Sequence, residues 1–98
     1  MIIITGSVTI RPEHFDEALA LGIEHSRRSR AEPGCIAHNC HVDSEAPRRI
    51  VFVEEWADLV VVAAHFAVPE SGKFVSRLAA MAEISPEMRI FMAEEQRR

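Results

Sequence analysis

Apolar and polar positions change rhythm several times along this chain, and each rhythm implies an element. From Ile2 to Ile10 the alternation is clean: Ile2, Ile4, Val8 and Ile10 share one face with Gly6, while Thr5, Ser7 and Thr9 share the other with Ile3. A period of two with one apolar side is a strand. Pro12 suits the first turn of a helix. Phe15, Ala18, Leu19, Gly22, Ile23 and Ser26 then recur at helical spacing and predict a single inner stripe. Glu13, Asp16 and Glu17 crowd the start of that helix and Arg27, Arg28 and Arg30 its end, as the helix dipole favours. Pro33-Gly34 stops it. On this phase His14 and His25 lie off the stripe and are expected to be solvated.

Cys35 to Asp43 reads as a second strand, rich in His38, Asn39 and His41, and a loop from Ser44 to Arg48 leads into a third strand, Arg49 to Trp56. Ile50 and Phe52 face one way in that strand, and Val51 and Val53 the other. Apolar residues on both faces imply a strand covered on both sides. Asp58 is a good N-cap for a helix over Leu59-Val-Val-Val-Ala-Ala-His65 that ends at Val68-Pro69. The three valines alone suggest a strand; length and the cap favour the helix. A helical stripe resumes with Phe74, Leu78 and Met81. Met88, Ile90 and Met92 alternate as a last strand, and residues 94–98 form a frayed tail.

The order β-α-β-β-α-β predicts a single α+β domain over residues 1–98, ferredoxin-like, with an antiparallel four-stranded sheet. Two helices cover only one face of such a sheet. The other face, with Ile3, Val51, Val53 and Phe91, needs a partner, and a second copy packed sheet to sheet is the simplest. A homodimer through the sheet faces is the expectation.

Composition narrows the function. Among 98 residues the formal net charge is −4, and the one basic cluster, Arg27, Arg28 and Arg30, has no interleaved aromatics. Nucleic-acid binding is not expected. No basic region precedes the apolar start, and the longest apolar run, Leu59 to Ala64, falls far short of the ~18 residues of a membrane span. No membrane association is expected, and the cytoplasm is the expected location. Cys35 and Cys40 are expected to point to opposite faces of their strand as free thiols.

The candidate chemistry sits around Trp56 and His65. An indole at a strand end and an imidazole on the following helix can share one apolar pocket, where His65 would serve as a general base. Helical phase sets His65 beside Val61, Val62 and Val68, where burial would disfavour the imidazolium unless a carboxylate lies close. Trp56 could equally be a core plug or a pocket wall. His38 is a further pocket candidate. Glu54 and Glu55 point to opposite faces, one as surface and one as an ion-pair partner. Cys35, His38, Cys40 and His41 are potential metal ligands, but alternation sets Cys35 and His41 against His38 and Cys40. Closure would need ligands from elsewhere, and no metal is expected.

Ser29-Arg-Ala-Glu-Pro-Gly-Cys35, Glu54-Glu-Trp56 and the position of His65 resemble the antibiotic biosynthesis monooxygenase family, over nearly the whole chain. The resemblance implies a dimeric α+β barrel and cofactor-independent oxygenation of a small phenol or quinol to a quinone by O2. Other members of that family degrade haem, isomerise sugar phosphates or have no known activity. Trp56 and His65 match positions that often line the family pocket. His38 stands where tyrosine is common, and Phe52 where quinone-forming members can carry asparagine. The first strand offers Thr5, Gly6 and Ser7 where haem-degrading members place asparagine, which argues against haem. The resemblance thus implies His65 as catalytic, Trp56, His38 and Phe52 as substrate-binding, and no cofactor. The alternatives are a non-catalytic binder of a small aromatic or apolar ligand and an isomerase-like use of the same pocket. A polar trio around the cavity would favour an enzyme; His65 as the only polar group would favour simple binding.

Overall fold

The computed structural model describes residues 1–97. Its elements are β1 (Ile2–Ile10), a 3-10 turn at Pro12–His14, α1 (Phe15–Ser29), β2 (Cys35–Asp43), β3 (Ala46–Trp56), α2 (Leu59–Ala67), α3 (Pro69–Met81) and β4 (Ala82–Met92). The strands form one antiparallel sheet in the order β2-β3-β1-β4, the ferredoxin-like arrangement. The helices lie on one face of it.

Ile2, Ile4, Val8 and Ile10 of β1 are buried beneath the helices, as the alternation requires. Ile50, Phe52, Glu54 and Trp56 of β3 are buried on the same face, opposite Val8, Gly6, Ile4 and Ile2. Two apolar clusters result. One joins Val8, Ile10, Ile50 and Phe52 to Phe74, Leu78 and Met81 of α3, and the other gathers Ile2, Ile4, Trp56 and Val62.

Asp58 caps α2, its Oδ1 accepting from the Val61 N–H at 3.0 Å. Pro69 at the first position of α3 separates the two helices, which meet at 71°. No single helix among the described residues is long and apolar enough to cross a membrane.

Several sequence expectations need correction. The buried side of α1 is Ala18, Gly22, His25, Ser26 and Ser29, while Ile23 is 38 % exposed. The helix is rotated so that short side chains lie against the sheet. Gly22 shows why: a Cβ there would stand 2.9 Å from Cys40 Sγ and 3.0 Å from Phe52 Cζ. No side chain has room at position 22, and His25 takes part of the buried face instead of Ile23. β3 begins at Ala46, after a two-residue turn, and β4 begins at Ala82, so both strands are longer than the hydrophobic pattern suggested.

β2 departs from simple alternation. Cys35 pairs with Trp56 and Ala37 with Glu55, so Ile36 is an extra residue on β2. This β-bulge resets the phase. Cys35 packs inward on the Trp56 cluster, and His38 and Cys40, opposite Glu54 and Phe52, face inward too. The expected opposition of Cys35 to His38 and Cys40 is therefore wrong. Both cysteines are free thiols.

Candidate functional site

Five elements bring side chains to one place between sheet and helices. His25 comes from α1, His38 from β2, Glu54 and Trp56 from β3, His65 from α2 and Phe74 from α3. The three imidazoles are 6, 0 and 3 % exposed, so a cluster of titratable rings occupies the interior. Buried polar groups of this kind need partners.

Most of the partners are present. Nδ1 of His38 is 2.8 Å from Ser26 Oγ, and Nδ1 of His65 is 2.9 Å from Glu32 Oε1. Nδ1 of His25 accepts from Arg28 Nη2 at 2.9 Å, and its ring stacks on Phe74 with centroids 4.1 Å apart. Glu54 is the hub. Its Oε1 accepts from Trp56 Nε1 at 2.9 Å and lies 3.4 Å from His38 Nε2 and 4.0 Å from His65 Nε2.

The electrostatics follow. Burial works to raise the Glu54 carboxyl, but the His38 imidazole, the Trp56 N–H and His65 together outweigh it and hold Glu54 below the usual carboxylate range. Burial pushes His25 down from 6.5 to about 3, helped by the neighbouring His38, His65 and Arg28. His25 is therefore neutral at pH 7. The expectation that it is solvated is corrected: it lies seven residues after Ala18, on the same helical face, and that spacing was the signal that could have placed it there.

Beside this cluster lies a cavity of about 490 Å3, within the usual range for small-ligand sites. Phe52, Phe66, Phe74, Val75 and Leu78 supply most of its apolar wall, and His25, Glu54, His65 and Ser71 are polar groups set into it. His65 and Phe52 thus reach the cavity. Trp56 and His38 do not line it; both are fully buried and stand behind it, Trp56 against His65 with centroids 4.5 Å apart. Glu54 is the ion-pair carboxylate of the Glu54-Glu55 pair. His25, Glu32 and Ser71 were not singled out in the sequence as site residues. Glu32 lies in the α1–β2 turn, where Pro33 and Gly34 dominate the local signal.

Fold and site define a ferredoxin-like α+β domain with an apolar cavity edged by imidazoles and a buried carboxylate. Comparison with known sequences makes this specific. The model of the antibiotic biosynthesis monooxygenase family matches residues 1–77, and the chain belongs to that family. An uncharacterized protein of Synechocystis is 27 % identical over 94 residues, covering 96 % of this chain. The chain spans 64 % of that relative's length. A crystal structure of an antibiotic biosynthesis monooxygenase superposes with a TM-score of 0.88 at 28 % identity, over 97 % of this chain and 100 % of the other. A conserved protein of Methanosarcina mazei shares the fold alone, with a TM-score of 0.89 at 20 % identity, covering 95 % of this chain and 92 % of its own.

Proposed function

We propose that this protein is a cofactor-independent monooxygenase that oxidises a small phenol or quinol to a quinone with O2. The observation that carries the reading is the cavity wall: among apolar side chains it sets the buried titratable groups His25, Glu54 and His65 side by side. A simple binder of an apolar ring has no use for this polar trio, and each member carries a desolvation cost.

His65 is the base. With Glu32 as the acceptor of that hydrogen bond, Nδ1 of the neutral ring carries the proton and Nε2 keeps its lone pair. A phenolic O–H delivered to Nε2 passes its proton there. The resulting imidazolium lies between Glu32 and Glu54, two carboxylates that favour it. Trp56 holds Glu54 in place from behind through its N–H, with the His38 ring beside the same oxygen. The phenolate is electron-rich enough to reduce O2; one oxygen atom enters the ring and the other leaves as water, taking the hydrogen of the oxygenated ring carbon and the phenolic proton that His65 gives back. No external reductant is required by that balance. Phe52 and Phe74 supply apolar contact for the ring.

We further propose a homodimer through the sheet faces. Val53 and Phe91 on the outer face are 37 and 38 % exposed, which leaves the apolar side of that face without cover. Sedimentation showing a stable monomer at micromolar concentration would remove this part of the reading.

The catalytic reading is tested by oxygen uptake against a panel of hydroquinones and naphthols. Uptake by the wild type with a loss of about 10²-fold or more in His65→Ala is expected for a positioned general base. Activity within a few-fold of wild type would return His65 to a packing role. If His65→Ala fails to fold, His65→Gln carries the same comparison.

A further inference from the structure

The oxygenase reading asks one imidazole to act, yet three from three different elements are buried together. Ring centroids of His25, His38 and His65 are 5.1, 5.5 and 5.7 Å apart, and one ring nitrogen of each falls within 4.8 Å of the others. We propose that His25, His38 and His65, with Glu54, form a binding site for a divalent transition-metal ion of the zinc type.

Three observations support the site. The first is the orientation of the rings. Ser26 Oγ and Glu32 Oε1 engage Nδ1 of His38 and of His65, and such outer partners fix metal-binding imidazoles so that Nε2 is left to ligate. The second is an orphan. His38 Nε2 is completely buried and makes no hydrogen bond, although Glu54 Oε1 is only 3.4 Å away. A buried nitrogen without a partner is costly, and a bound cation would satisfy it. The third is the donor set. Three imidazoles and one carboxylate suit zinc, cobalt or nickel, and Glu54 with the nearby Glu32 balances a double positive charge.

The dimensions suit four-coordination. With bonds of about 2.1 Å, neighbouring ligand atoms around a tetrahedral ion lie about 3.4 Å apart. The edge from His38 Nε2 to Glu54 Oε1 already has that length, while the edge from His65 Nε2, at 4.0 Å, contracts on binding. His25 Nδ1 accepts from Arg28 Nη2, so in the neutral ring the proton sits on Nε2. Binding through its Nε2 moves its proton to Nδ1 and releases Arg28 from the ring. Of the four candidate ligands on β2, only His38 takes part; the rest of the site comes from α1, β3 and α2.

The metal takes the His65 nitrogen that the oxygenase reading gives to substrate, so the two uses exclude each other at any moment, and binding is measured without reference to turnover. Untagged protein, stripped with chelator, is titrated calorimetrically with zinc chloride. One ion per chain with micromolar or tighter affinity is expected, weakened at least tenfold in His38→Gln and in His25→Gln. Absence of saturable one-to-one binding, or unchanged affinity in a folded His38→Gln, would overturn the site. Should either variant fail to fold, cobalt added to the wild type decides. Intense visible bands of a four-coordinate complex support the site, and the weak spectrum of the hydrated ion overturns it.

Discussion

Nδ1 of His65 lies 2.9 Å from Oε1 of Glu32, a contact between residues 33 apart in the chain. In the proposed mechanism this contact engages Nδ1, leaves Nε2 to the substrate and sets a carboxylate beside the imidazolium that would form. Glu32→Leu removes both effects, whereas Glu32→Gln keeps an acceptor and loses only the charge. Turnover should fall on the order of tenfold to a hundredfold in Glu32→Leu, short of the loss seen when a catalytic histidine is held in the wrong tautomer. Glu32→Gln should fall between that variant and wild type. Steady-state oxygen uptake of the three proteins checks the ranking, and equal rates would take Glu32 out of the mechanism.

Acid sensitivity follows from His25. In the unfolded chain it titrates near 6.5, and in the folded protein near 3. Between those values the unfolded chain binds a proton that the folded one does not, so stability falls as pH falls through that window. Glu54, depressed below its ordinary 4.5, adds a loss of the same sign at lower pH. Thermal midpoints measured from pH 7.5 down to 4 should decline, and His25→Phe should flatten the part above pH 4.5. A variant with the wild-type slope would contradict this assignment.

Gly34 has φ +81°, and a Cβ built there would meet Val61 Cγ1 at 2.6 Å. Gly34→Ala therefore meets two penalties, left-handed backbone and a clash with α2. The first alone is worth about 1–2 kcal/mol. Val61→Ala removes the methyl groups at 2.6 and 2.7 Å, while the Cβ at 2.8 Å and the left-handed backbone remain. The double variant should thus be more stable than the sum of the two single losses predicts, yet still below Val61→Ala. Denaturant unfolding of the four proteins measures it; strict additivity would mean that α2 simply moves aside.

Cys40 sits against Gly22 and the β3 core, and burial pushes its thiol up to about 11. A thiol so seldom ionised at pH 8 should alkylate far more slowly in the folded protein than in urea. Mass spectrometry after timed iodoacetamide treatment reads the difference directly. Rapid modification of Cys40 under native conditions would show that the α1–β2 packing opens readily.

Strand β1 was legible because its apolar residues alternate with hydroxyls over most of its length, and the inward set of β3 because Ile50, Phe52 and Trp56 keep a period of two. The cap at Asp58 and the break at Pro69 were legible because each acts locally, through one side chain or one ring. α1 was legible in part: Ala18, Gly22 and Ser26 of its expected stripe are buried and Phe15 and Leu19 pack on the core, but hydrophobicity pointed to Ile23 and away from His25. His65 was visible as a polar residue on an apolar helix. Glu32 was invisible, because its importance comes from meeting His65 in space, while the inward place of His25 was carried only by its spacing from Ala18 and its meeting with His38 by nothing local.

The bulge in β2 bears on how this chain is compared with others. Cys35, His38 and Cys40 are three and then two positions apart in sequence, but across the sheet they face Trp56, Glu54 and Phe52, an even progression. For the interior, residue 36 is not counted. A homologue without it can present the same inward trio with a spacing one shorter. An alignment that places the gap after His38 would match that inward histidine to an outward position and hide a site that both proteins share.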